Sequence, residues 1–260
     1  MEPNPGLIQP PSKDSLYSTP LVLFHDGGGT TISYYHLGSL GRPVYGIADP
    51  SFFTGRMWSG LPQMARVYAN LIRTTMTNTR IILGGWSLGG FIALEVARIL
   101  ECEGQFHVVG VVMIDSPYPH GPADKLVPPR PFLHSNCSPE TRMFVSRSMK
   151  RAHKLVEKWS VPDWTSSSFP NMGAAPPVLL LRCQEYVPDE QSEKEHAPAR
   201  VSVDRWRHLR MLGWERTDGM VRGVLDIPGH HFNLMWEDNL DAITRQLKLA
   251  CKMLDLSLIR

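Results

Sequence analysis

At 260 residues, 42% of them hydrophobic, the chain is long enough to bury a continuous sheet between helices in one domain. A formal charge of +2 gives it no polyelectrolyte character, and no basic stripe interleaved with aromatics marks a nucleic-acid surface. Cys102, Cys137, Cys183 and Cys251 stand far apart and make no CxxC, which suggests neither zinc nor disulfides and points to free thiols in a reducing, cytoplasmic compartment.

Residues 1–20 hold Pro3, Pro5, Pro10 and Pro11 with no basic start and no apolar core. They read as a flexible lead-in rather than a signal peptide or membrane anchor, which leaves 21–260 as the folded domain. Strand-like apolar runs follow at 21–24, 44–47, 81–83, 108–114, 178–181 and 221–227. Helical patterns at 61–75, 88–101 and 239–256 alternate with them, so the expected fold is α/β, a mostly parallel central sheet with helices on both faces. Between 116 and 177 the strand rhythm stops for about sixty residues, too long for a simple connection. That stretch is a candidate helical lid at about 117–177. Inside it Val145, Met149, Ala152, Val156 and Trp159 step as one face of a helix introduced by Ser138 and Pro139. The opposite face carries Arg142, Arg147, Lys150, Arg151, Lys154 and Lys158 against Glu140 and Glu157. It is either a solvated surface or a place for an acidic partner or a phosphate.

The chemistry centres on Gly85, Trp86, Ser87, Leu88 and Gly89, a GxSxG that follows the apolar run Ile81, Ile82 and Leu83 and leads into helical spacing through Phe91, Ile92, Leu94, Val96 and Ile99. Such a strand–turn–helix elbow lifts a serine hydroxyl into solvent, and its glycines leave room for a tight turn. Ser87 is the candidate nucleophile. It needs a histidine to take its proton and a carboxylate to orient that histidine. His230 and His231 follow the last strand run and the Pro228–Gly229 turn, and His231 is preferred as base because Phe232 can wall its ring. For the carboxylate, Asp115 at the end of 108–114 competes with Glu185 and Asp189 after the next strand. The oxyanion needs two amides: Leu88 supplies one, and the turn His25, Asp26, Gly27, Gly28, Gly29 supplies the other, from Gly27 or a neighbour. That turn lacks the Lys and Ser or Thr of a P-loop. Asp26, Trp86, Tyr118 and Phe232 are candidate substrate contacts.

With these residues assembled, the chain resembles the thioesterase domains that release products from fungal polyketide and nonribosomal peptide synthetases, α/β-hydrolases by fold. The resemblance rests on Phe24 to Gly29, Gly84 to Gly90, Ile114 to Ser116 and Pro228 to Phe232, and spans most of the chain. It implies Asp115 as the acid, His231 as the base, and a lid that shapes an acyl chamber and admits the pantetheine arm. It also implies a substrate carried as a phosphopantetheine thioester on an acyl or peptidyl carrier protein, with no permanently bound cofactor or metal. Asp14, Ser15 and Leu16 echo a carrier attachment motif without a surrounding helical bundle, so the carrier is expected in trans, or in cis if the chain is an excised domain. An esterase on free small esters, or a hydrolase-fold binder without chemistry, are the alternatives.

Overall fold

The computed structural model describes residues 3–11, 18–121, 137–164, 175–188, 201–217 and 219–256. Within them, β1 (Gly6–Gln9), β2 (Leu21–Phe24), β3 (Val44–Ile47), β4 (Arg80–Trp86), β5 (His107–Ile114), β6 (Val178–Cys183) and β7 (Val221–Ile227) form one sheet in the order β1-β3-β2-β4-β5-β6-β7. Every pairing is parallel except β1 with β3. The central strands carry uninterrupted apolar runs because both of their faces are covered. In β2, Val22 and Phe24 face a core shared with α1 (Leu61–Thr75) and α2 (Leu88–Glu103), while Leu21 and Leu23 face the core under α4 (Glu237–Leu256). Helix α1 buries Leu61, Met64, Ala65, Tyr68, Ala69 and Ile72, the three-and-four spacing of a one-sided helix.

One expectation needs correction. Residues 6–9, read as part of a flexible lead-in, are the antiparallel edge strand β1. Asn4 Nδ2 donates to Ala48 O at 2.9 Å, and Gln9 Oε1 accepts from Leu40 N at 2.9 Å. The segment is too short and too proline-flanked to show a strand period; its order comes from pairing with β3, which no local pattern reports. Asp14, Ser15 and Leu16 lie outside the described residues.

The candidate lid contributes α3 (Pro139–Glu157), capped by Ser138, whose side chain accepts from Thr141 N at 3.1 Å. Its buried residues are Ser148, Ala152 and Leu155, with Trp159 just beyond, so the buried face is turned slightly from the expected stripe and Val145, Met149 and Val156 are only half-buried. The cause is the surface beneath. A β-carbon placed on Gly27 would lie 3.4 Å from the Ala152 β-carbon and one on Gly29 would lie 2.6 Å from Ser148 Oγ, so only small side chains fit where α3 crosses the glycine turn. The basic face divides. Arg147 donates to Phe52 O at 2.6 Å and Arg151 to Gly55 O, clamping the 52–55 segment, whereas Lys150, Lys154 and Lys158 are exposed.

Cys102, Cys137, Cys183 and Cys251 are free thiols; Cys183 and Cys251 are buried, and burial pushes Cys251 up to about 12. Among the described residues no helix is long and apolar enough to cross a membrane, and no three His, Cys, Asp or Glu side chains gather to hold a metal ion.

Candidate active site

Ser87 occupies the turn between β4 and α2 at φ +56°, ψ −115°, a backbone conformation that costs an ordinary residue about 1–3 kcal/mol. Both flanking glycines are sterically required. A β-carbon on Gly85 would lie 2.7 Å from the Gly89 backbone, and one on Gly89 would lie 2.5 Å from Phe24 O. The elbow is pinned from β5: Ser87 N donates to Ile114 O at 2.9 Å, and Ser116 Oγ donates to Ser87 O at 2.7 Å.

The loop after β7 brings His231 Nε2 to 3.0 Å from Ser87 Oγ, and His231 Nδ1 lies 2.8 Å from Asp115 Oδ2. A carboxylate can only accept, so Nδ1 carries the proton and Nε2 presents its lone pair to the serine hydroxyl. Three residues spread over 144 positions of sequence thus converge. Of the competing acids, Glu185 does not. Glu185 is exposed and accepts from Gly229 N at 3.3 Å, and Asp189 lies outside the described residues. His230 holds the loop, its Nδ1 accepting from Phe232 N at 3.2 Å.

Leu88 is the first residue of α2, so its amide has no acceptor within the helix. In the turn after β2, Gly28 N donates to Asp26 Oδ1 at 2.9 Å and Gly29 N to Asp26 O at 3.1 Å, while the Gly27 amide has no acceptor among the described residues. Among the described residues neither the Leu88 nor the Gly27 amide is engaged by another acceptor. Beside His231, Phe232 packs edge-on at 4.9 Å between ring centroids and Trp86 lies tilted at 5.9 Å. Tyr118 instead packs against Trp214 and His120 at the start of the lid.

Asp26 faces the same space. Burial raises its pKa, opposed by His25, the Gly28 amide and His231. An acid whose folded pKa lies above its unfolded value destabilises the fold as pH rises through that window, so the penalty is present at neutral pH and absent in acid. Asp26→Asn, which keeps an acceptor for Gly28 N, is expected to melt higher than the parent at pH 7. In thermal melts taken at a series of pH values, that gain should shrink as pH falls toward the ordinary carboxylate range and be absent below it.

A family model described as Thioesterase domain matches residues 19–250. The chain belongs to the thioesterase family. Thioesterase frbE of Dothideomycetidae sp. (strain 11243) is 36% identical over 265 residues, covering 97% of each chain. The nonribosomal peptide synthetase imqB of Aspergillus flavus is 48% identical over 120 residues, 46% of this chain and 4% of that one. Among solved structures, the NocB thioesterase domain from the nocardicin cluster matches with a TM-score of 0.60 at 22% identity, over 88% of this chain and 94% of that one.

Two features of this thioesterase site were not foreseen from sequence. The first is Tyr34, fully buried, whose hydroxyl donates to Phe24 O at 2.7 Å and accepts from Trp86 N at 2.8 Å. The β2–β4 ladder pairs Phe24 with Gly85 and stops there, and the Tyr34 hydroxyl continues it by one bridge, fixing the glycine turn against the elbow. Tyr34→Phe strands a buried carbonyl and a buried amide, which should cost about 1–3 kcal/mol in denaturant melts. Because the Gly27 and Leu88 amides, the expected oxyanion donors, ride on the joined segments, kcat should also fall by roughly tenfold or more, with KM less affected.

The second is a buried ionic cluster behind Asp115. Arg207, 1% exposed, donates through two nitrogens to both Asp115 oxygens, at 2.5 and 2.8 Å, and its Nε donates to Asp204 Oδ1 at 3.0 Å. Cys183 N also donates to Asp115 Oδ1 at 2.9 Å, so the carboxylate accepts four hydrogen bonds. Burial alone would raise the Asp115 pKa. Arg207 and the His231 hydrogen bond outweigh it and hold the carboxyl well below the usual carboxylate range.

Proposed function

We propose that this thioesterase releases a polyketide or peptide acyl chain from a carrier-protein phosphopantetheine thioester through an acyl-Ser87 intermediate. The observation that carries the reading is the continuous bridge from Ser87 Oγ to His231 Nε2 and from His231 Nδ1 to Asp115. His231 takes the Ser87 proton as Oγ bonds to the thioester carbon. The negative charge that forms on the carbonyl oxygen meets the Leu88 and Gly27 amides. Collapse breaks the carbon–sulfur bond, and the departing thiolate takes the proton from His231. Water, or a hydroxyl, amine or acidic carbon of the acyl chain, then gives a proton to His231 as it attacks the ester; the acyl–Oγ bond breaks and Ser87 takes that proton back, leaving an acid or a ring. Trp86 and Phe232 wall the histidine, and Asp26 lies within electrostatic reach of it as a substrate contact. The exposed Lys150 and Lys154 on α3, and Lys158 just after it, suit an anionic partner such as a carrier or its phosphate.

The test is a fluorophosphonate probe followed by intact mass spectrometry. The expected adduct sits on Ser87, is absent in Ser87→Ala and is much reduced in His231→Ala. A folded chain that takes no label is a binder, not an enzyme. Faster turnover of soluble short esters than of a carrier-linked acyl thioester would reassign the activity to an esterase.

A further inference from the structure

We infer that Arg207 and Asp204 extend the Ser87–His231–Asp115 chain to five residues and set its working pH, Arg207 offsetting the negative charge behind His231 and Asp204 restoring it. The inference deepens the proposed function and rests on its assignment of His231 as base.

The geometry carries it. Arg207 has both terminal nitrogens on Asp115 and its Nε on Asp204, the guanidinium is 0% exposed, and the carboxylates of Asp115 and Asp204 are 0% and 2% exposed. Asp204 Oδ2 accepts from Val187 N at 2.7 Å, and Arg207 also donates to Cys183 O at 3.0 Å, so each member is held from a second side. An aspartate paired two-to-two with a buried arginine is a neutral unit that does little to stabilise an imidazolium. With Asp204 added, two carboxylates and one guanidinium leave a single net negative charge, the same as a lone aspartate, spread over a rigid cluster. Arg207 thus fixes the Asp115 rotamer that aims Oδ2 at Nδ1, and Asp204 gives back the charge that this fixing removes.

Other groups also surround His231. Asp26 reaches it from the glycine turn, Ser87 from the elbow and His230 from the adjoining position, while the Cys183 thiol lies against Asp115 and Glu185 against His230. None of them is altered in the variants below.

The test is the rate constant for fluorophosphonate labelling of the intact chain from about pH 5 to about pH 9, whose acid limb reports titration of the base in the free enzyme. Asp204→Asn removes a negative charge, so the imidazolium is less stabilised and the acid limb should move to lower pH by about half a unit or more. Arg207→Met removes a positive charge and should move the limb to higher pH by a similar amount. The double variant retains only the Asp115 charge and should titrate close to the parent. A merely structural cluster would lower the rate at every pH without moving the limb, or move it in the same direction in both single variants. Asp204→Asn leaves Arg207 paired with Asp115, so it decides the matter even if Arg207→Met does not fold. An Asp204→Asn chain with a native circular dichroism spectrum and an unmoved limb overturns the inference. Loss of Ser87 labelling in the parent chain would instead overturn the proposed function.

Discussion

Ser87→Ala is expected to lower turnover of an acyl thioester by at least about 10⁴-fold, because removing the attacking oxygen leaves only the oxyanion amides and binding to assist water. The comparison is kcat at saturating substrate for the purified variant and parent, with the acyl-enzyme followed by mass. Alanine suffers the same positive φ as serine, so its melting temperature should stay near the parent's. Ser87→Gly relieves the strain at φ +56° and should melt above Ser87→Ala while being equally inactive. Turnover within tenfold of the parent in either variant would remove Ser87 from the reaction.

Asp115→Asn is expected to lower kcat by roughly 10³–10⁴-fold. Both Asp115 oxygens face donors: Cys183 N and Arg207 at Oδ1, Arg207 and His231 Nδ1 at Oδ2. An amide nitrogen at either place therefore meets donors. At the Oδ2 position it drives His231 to the tautomer with its proton on Nε2, where it can no longer accept from Ser87. At the Oδ1 position it opposes Arg207. The loss of charge also leaves the buried guanidinium supported by Asp204 alone, and breaking one side of a buried pair costs about 3–5 kcal/mol. Denaturant melts at pH 7 measure that cost. In the parent, the depressed Asp115 pKa makes its contribution complete above the ordinary carboxylate range and lost as pH falls through and below it, so the gap between parent and variant should narrow in acid.

The elbow was legible because backbone geometry there admits no side chain at Gly85 or Gly89, so the chemistry is written as a spacing of glycines. The parallel strands were legible because burial on both faces forces unbroken apolar runs, and α1 spans the residues its periodicity marked. Helix α2 runs two residues past the expected end and stops where Gly104 takes a left-handed conformation at φ +68°. Arg207 was not legible. It lies in an irregular segment between β6 and β7, and its partner is 92 positions away, so only folding reveals that a buried charge needs it. On local pattern Asp115 and Glu185 compete as strand-end acids; what separates them is that Cys183 N at the end of β6 and Arg207 both reach the Asp115 carboxylate. Tyr34 is silent for the same reason, since a hydroxyl that substitutes for a ladder rung has no signature in composition or period.

Helix α3 rests its smallest side chains, Ser148 and Ala152, on the glycine turn that presents the Gly27 amide. Helix and turn consequently bear on each other at these two positions, so a bulkier side chain at either would press directly on the segment that carries the Gly27 amide.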